Sequence, residues 1–185
     1  MRTTRSGESA LLLLDAVDVL VAHQINYAVV GAIAASVHGA VRASMDADVV
    51  LSMAIQQAKE LEQAFKAAGF STQLARGDVD DPIPALLKLS DRYGNRVDLL
   101  VGLRGMEVDA FSRLVEVPFQ GARLRFIGRE DFIAMKAFAG GPMDVLDATR
   151  AIAAAGLALD TGLLRRLAKK YGHEALQLIE RLLEP

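Results

Sequence analysis

The sequence predicts an α+β chain, a mixed α/β arrangement in which strands and helices first alternate and helices alone then follow. Three observations predict it. Residues 27–51 run from a short apolar segment through Gly31 into an Ala-rich stretch and back to a second apolar segment, the pattern of strand, tight turn, helix and strand. Two apolar runs, 85–90 and 96–101, flank Asp91-Arg92-Tyr93-Gly94-Asn95, as the arms of a hairpin flank a turn that uses glycine. From Arg129 to the end, the pattern is helical throughout.

In chain order, Leu11, Leu14, Val17, Leu20 and Val21 recur at helical spacing with Asp15 and Asp18 outside the stripe, which predicts an amphipathic helix over residues 8–23. A strand over 27–30, a helix over 32–37 and a strand carrying Asp46 and Asp48 come next. Residues 55–68 place Leu61, Ala64, Phe65 and Ala68 on one face and end at Gly69, a helix with a glycine stop. Residues 70–74 read as a strand, and 76–84, with an acidic cluster and two prolines, as a loop. After the hairpin, 108–115 reads as a short helix, and 117–127, broken at Gly121, as a strand pair or one bent strand. Helices follow over 129–138, stopped by Gly140-Gly141-Pro142, then over 143–155, 160–170 and 173–183. This divides the chain into a core, 1–128, and a helical C-terminal extension, 129–185.

Composition sets bounds on function. A chain of 185 residues with 52% hydrophobic content fits one domain, or one domain with a small helical appendage. Its net charge of -2 gives no global attraction to nucleic acid, so such contact would need a local patch. Without cysteine there are no disulfides or thiolate metal sites, and the three histidines are scattered. The apolar run at 10–14 is interrupted by Asp15 and Asp18 and is too short to span a bilayer, so a cytoplasmic protein with no membrane partner is expected.

The chemistry concentrates in 27–51. Residues two apart on a strand point the same way, so Asp46 and Asp48 present two carboxylates to one side. Like charges held close raise one another's pKa unless a cation intervenes, and Mg²⁺ is the hard cation suited to a carboxylate pair with phosphate and water. Gly31 stands where a strand turns into a helix, whose free N–H groups suit a phosphate. Asp98, within Val97-Asp98-Leu99-Leu100-Val101, is a further carboxylate in an apolar strand that needs a partner.

Val30-Gly31-Ala32 followed by Asp46-Ala47-Asp48-Val49 resembles the motif of the nucleotidyltransferase superfamily related to DNA polymerase β. With His38-Gly39 and Arg42-Ala43-Ser44-Met45, it is similar to the small bacterial branch of abortive-infection (AbiEii-like) toxins and lincosamide nucleotidyltransferases, over roughly Ala10 to Ile152. The resemblance implies a minimal nucleotidyltransferase fold, a small mixed sheet flanked by helices. It implies metal-dependent transfer of a nucleoside monophosphate from a nucleoside triphosphate to an acceptor, with release of pyrophosphate. Asp46 and Asp48 would hold two Mg²⁺ ions, with Mn²⁺ as a substitute. Asp98, arriving on a neighbouring strand, would ligate the ion on the acceptor side and help take the proton from the attacking hydroxyl. Gly31 and Ala32 would cradle the outer phosphates through their N–H groups, and Lys136 would face the triphosphate. One departure stands out. Many members carry Ser or Gly after the motif glycine, and Ala32 lacks a hydroxyl bond of about 1 kcal/mol. Ser44 stands where Thr is common and keeps its hydroxyl.

Each feature has a plainer reading. Gly31 alone reads as a turn, and His38 as a helix-end residue rather than a base. Arg42 either steers phosphate or pairs with a carboxylate, and Lys136 either faces the ligand or is a solvated lysine. Asp144 and Asp147 read as a favourable charge pair at a helix N-terminus. Arg165, Arg166, Lys169 and Lys170 form a basic helical patch that reads as a solvated face before it reads as an RNA contact. Three functions follow. The first is an enzyme adding a nucleotide to RNA or protein, neutralised by a separately encoded antitoxin-like partner. The second is one modifying a small molecule such as an antibiotic hydroxyl. The third is a non-catalytic domain binding a nucleotide or partner, against which the retained carboxylates argue.

Overall fold

The computed structural model describes residues 1–78 and 80–184. Helix α1 (Ser9–Ala22) leads into β1 (Asn26–Val30), which passes without a linker into α2 (Gly31–Val37). The chain returns along β2 (Asp46–Ser52), antiparallel to β1. Helix α3 (Ala58–Ala67) follows, then β3 (Ser71–Arg76) and the hairpin β4 (Ala85–Ser90) and β5 (Arg96–Val101). A second hairpin, β6 (Val115–Phe119) and β7 (Ala122–Phe126), precedes four helices: α4 (Arg129–Ala139), α5 (Pro142–Ala155), α6 (Thr161–Tyr171) and α7 (His173–Leu183).

The seven strands form one sheet in the order β3-β4-β5-β2-β1-β7-β6. It is mixed because β2 pairs with β5 and β1 with β7 in parallel, while the other pairs are antiparallel. Burial alternates along the central strands. Ala47, Val49, Leu51, Val97, Leu99 and Val101 are buried, whereas Asp46, Asp48, Arg96 and Asp98 on the other face keep contact with solvent. Helix α1 packs on β5, β2 and β1, and α3 on β3 and β4. The four last helices pack among themselves, and their Phe132, Ile133, Leu164, Leu167 and Ile179 belong to the same hydrophobic core as Val29 and Phe126. Among the described residues, no helix is long and apolar enough to cross a membrane.

The expected elements stand with adjustments at their ends. The helix expected over 55–68 begins as a 3-10 turn, Ile55–Gln57, where the Gln57 side-chain oxygen accepts the Ala54 N–H at 3.1 Å. The short helix expected over 108–115 is a 3-10 segment ending at Ser112, because Val115 is already paired with Phe126 across the second hairpin. The stretch 117–127 is a strand pair and not one bent strand. Gln120 and Gly121 turn it with φ of +49° and +79°, the two left-handed positions of a two-residue hairpin loop. Strand β3 extends to Arg76 since each of its residues has a partner on β4. The loop expected over 76–84 therefore starts at Gly77, and Val79 within it lies outside the described residues. Helix α4 stops where expected, with Gly140 at φ +68° as its left-handed cap.

Candidate active site

The parallel pairing of β2 with β5 brings Asp48 beside Asp98 and Asp46 beside Arg96. Three carboxylates, two from one strand and one from its neighbour, thus share the face opposite the buried Ala47, Val49, Val97 and Leu99. The third row member is Val30, which pairs with Asp48 on the other side, so the end of β1 and the start of α2 lie directly against the same carboxylate. Gly31 meets the need this creates. It adopts φ +62°, and a Cβ built on it would fall on the Asp48 carboxylate, 2.8 Å from Cγ.

Burial raises the Asp48 carboxyl to about 6, and the negative charges of Asp46 and Asp98 add to the effect, while Lys136 and Arg42 oppose it. Asp98 is also raised, first by burial and then by Asp46, against the opposing charges of Lys88 and Arg96. Asp46 is held differently. Ser44 Oγ donates to its Oδ1 at 2.9 Å, and Arg96 approaches its Oδ2 at 3.5 Å. Ser44 therefore serves the motif carboxylate directly. Among the described residues, no three His, Cys, Asp or Glu side chains gather at metal-ligating spacing. The donor set nevertheless suits a hard divalent cation: three carboxylates on one face, with Asp48 driven toward protonation by burial first and then by its neighbours' charge.

Two clefts flank the carboxylates. One, of about 210 Å³, is lined by Val30, Gly31, Asp48, Leu100, Phe132, Met135, Lys136, Ala139 and Asp144. The other, of about 160 Å³, is lined by Gly7, Ser9, Ala10, Ala32, Ile33, Ser36, Arg42, Ser44 and Asp46. Asp48 and Lys136 face the first, Asp46 and Arg42 the second. Every residue expected at the site lies in this region, and Ala32 is buried where β1 meets α2.

The structure decides one reading for each of Lys136 and Arg42. Lys136 is not a solvated lysine: its side chain is 11% exposed, and Nζ lies 2.7 Å from Asp144 Oδ1 and 3.0 Å from Asp147 Oδ2. Arg42 does pair with a carboxylate, with Nε 3.3 Å from the same Asp147 Oδ2. Asp144 and Asp147 are thus counter-ions to the site's cations and more than a favourable pair at a helix N-terminus. The sequence carried one signal of this, two acids three apart on α5, directly after the Gly140-Gly141-Pro142 break from the helix that carries Lys136. Arg96 and Lys88 were missed too. Each stands in register with a site carboxylate, Arg96 with Asp46 and Lys88 with Asp98, and only the pairing of strands reveals it. His38 ends α2 as expected; its Nε2 donates to the Ile127 carbonyl at 2.8 Å, and burial holds its pKa below the usual range.

No family model and no curated protein matches the chain. Solved structures do. The chain is similar to the antibiotic-resistance factor ANT(2″)-Ia in complex with adenylyl-2″-tobramycin, with 13% identity, 88% of this chain and 98% of that one covered, and a TM-score of 0.61. It is similar to a candidate nucleotidyltransferase from Thermotoga maritima, with 17% identity, coverage of 75% and 89%, and a TM-score of 0.57. It is also similar to the lincosamide antibiotic adenylyltransferase LnuA with lincomycin bound, with 11% identity, coverage of 80% and 98%, and a TM-score of 0.51. The chain has the nucleotidyltransferase fold.

Two outcomes follow from this geometry. A carboxyl raised in the folded state stabilises the fold below its unfolded pKa, and that contribution is lost as pH rises through the folded value. Asp48→Asn is therefore expected to stabilise the metal-free protein by roughly 2–3 kcal/mol at pH 7, the gain shrinking toward zero near pH 4. Urea unfolding of both proteins in chelator across that range measures it, and a pH-independent difference contradicts the assignment. Gly31→Ala is expected to cost at least about 1 kcal/mol from the left-handed backbone alone, plus the collision with Asp48. Adding Asp48→Ala should recover the collision part, whereas strictly additive unfolding energies would show that the two residues do not meet.

Proposed function

We propose that this protein is a metal-dependent nucleotidyltransferase that moves a nucleoside monophosphate from a nucleoside triphosphate to a hydroxyl acceptor and releases pyrophosphate. One observation carries the reading: the β2–β5 register sets Asp98 beside Asp48 while the Gly31 backbone closes on the same carboxylate. A carboxylate cluster beside a strand-to-helix turn with no side chain is a place for metal ions and phosphates together.

Asp46, Asp48 and Asp98 would hold the divalent cation, two Mg²⁺ ions with Mn²⁺ as a substitute. A metal held by these residues would supply positive charge against that of the triphosphate and of the leaving pyrophosphate. The chain's own groups do the rest. The backbone at Gly31 and Ala32 approaches the outer phosphates without a side chain in the way, and Lys136, on the wall of the larger cleft with Asp48, supplies a positive charge to them. Arg42 and Ser44 line the smaller cleft with Asp46, where Ser44 keeps that carboxylate oriented. Asp98 has a raised pKa and lies on β5 beside Asp48, which suits it to accept the proton of the attacking hydroxyl.

The acceptor in this reading is RNA or protein, as in the toxin-like branch that the motif resembles, with a separately encoded antitoxin-like partner. A second reading, transfer to a small antibiotic-type molecule, has its own support. Two of the similar structures, ANT(2″)-Ia and LnuA, carry an adenylylated antibiotic and an antibiotic. In addition, the basic residues of α6 are largely engaged: Arg165 pairs with Glu180 at 2.9 Å, and Arg166 and Lys170 pair with Glu107 at 2.6 and 3.8 Å. Three of the four basic residues of that patch thus have an acidic partner that offsets their charge toward RNA phosphates.

Incubating the protein with each α-labelled ribonucleoside triphosphate and Mg²⁺, together with total RNA, cell protein, or a panel of aminoglycosides and lincosamides, separates these readings. Label in RNA or protein supports the first acceptor, and label on an antibiotic the second. Asp98→Asn is expected to bind the triphosphate as the wild type does and to transfer at least about a hundred-fold more slowly. Transfer at the wild-type rate by Asp98→Asn contradicts the role given to it.

A further inference from the structure

Asp147 is fully buried, on the first turns of α5, behind the two cations of the site. One of its oxygens, Oδ2, is shared by Lys136 Nζ at 3.0 Å and Arg42 Nε at 3.3 Å. The other, Oδ1, is buried without a hydrogen-bond partner among the described residues. A buried carboxylate with an unsatisfied oxygen is costly, and nothing local on α5 requires one there. Its two partners come from different parts of the chain, Arg42 from the segment between α2 and β2, and Lys136 from α4. They also face different clefts, Arg42 with Asp46 and Lys136 with Asp48. Asp144, by contrast, lies in the larger cleft, is partly exposed, and contacts Lys136 at 2.7 Å.

We propose that Asp147 is a positioning residue, a shared counter-ion that holds Lys136 and Arg42 on either side of the Asp46–Asp48 pair so that both cations are in place before an anionic substrate arrives. This rests on the nucleotidyltransferase reading for what that substrate is, but not for the positioning itself. Two long, flexible cations beside a carboxylate pair would otherwise fold onto Asp46 and Asp48 and compete with a metal ion for them. A carboxylate behind them, out of reach of solvent, directs them elsewhere without itself touching substrate. Because both meet the same oxygen, Oδ2, the two cations are also linked. Drawing one toward a ligand leaves Asp147 more fully to the other.

The test begins with ligand-free protein. The side-chain ¹⁵N signals of Lys136 Nζ and Arg42 Nε, assigned by Lys136→Met and Arg42→Met, are followed for solvent exchange in wild type, Asp147→Asn and Asp144→Asn. Asp147→Asn is expected to speed exchange at both cations, and Asp144→Asn at Lys136 alone. Should Asp147→Asn fail to fold, Arg42→Met gives the same answer with the carboxylate intact, since Lys136 exchange is then expected to slow. Lys136 exchange unchanged by Arg42→Met, or Arg42 exchange unchanged by Asp147→Asn, overturns the proposal. In the Mg²⁺-triphosphate complex, Asp147→Asn is expected to weaken binding by about ten-fold or more, the size of one charge-assisted hydrogen bond, with little change in kcat. Lys136→Met is expected to mask most of that loss, and fully additive losses in the double variant overturn the linkage. A wild type that binds no triphosphate removes the functional reading alone, because the exchange measurements decide the positioning without it.

Discussion

The approach of the Gly31 backbone to the Asp48 carboxylate constrains much of this structure. There is no room for a Cβ between them, so the strand that ends at Val30 must turn on a glycine with positive φ. That turn starts α2 at the end of the rows in which β1, β2 and β5 lie side by side, and α2 packs back on β2 and β1. The register of those strands then decides which side chains meet: Val30, Asp48 and Asp98 in one row, Asp46 and Arg96 in the next. Shifting β2 by one residue would carry both motif carboxylates into the core and bring Ala47 and Val49 out. The apolar alternation that stabilises the sheet is therefore the same pattern that fixes the acidic face.

That face carries more negative charge than its burial favours, and the chain distributes cations around it without neutralising it at its centre. Arg96 and Ser44 engage Asp46, Lys88 lies in register beside Asp98, and Lys136 and Arg42 are held back by Asp147. Asp48, the most perturbed of the three, has none of these as a hydrogen-bonded partner, and burial with its neighbours' charge raises its carboxyl to about 6. Raised carboxyls at Asp48 and Asp98, side by side on one face, are the kind of arrangement found where function, not stability, sets the residues. The helical extension takes part through α4 and α5, which supply Lys136 and its two counter-ions.

Much of this was legible in the sequence. The alternation in 46–51 and 96–101 shows which residues share a face, and the Gly after an apolar run shows where the chain turns, so the order of elements and the three carboxylates could be read from local pattern alone. The fold class and the likeness to nucleotidyltransferases followed from them. What could not be read is whatever depends on pairing between distant segments. Arg96 and Lys88 acquire their meaning only from strand register, and Asp147 only from the packing of α5 against α4 and the segment after α2. At the ends of elements, tertiary pairing overrode local preference: Val115 is claimed by β7, and β3 runs on to Arg76 because β4 offers it partners. Lys136 illustrates the limit best, since its helical neighbours show that it is on the opposite side from part of the core, and nothing in them shows that two carboxylates wait there.

The central claim is that the acidic face and the glycine turn form one triphosphate site, and calorimetric titration of the four ribonucleoside triphosphates, with and without Mg²⁺, tests it most directly. The account predicts Mg²⁺-dependent binding by the wild type that the Asp46→Asn, Asp48→Asn double variant loses while remaining folded. No binding by the wild type, or equal binding by the folded double variant, would contradict it.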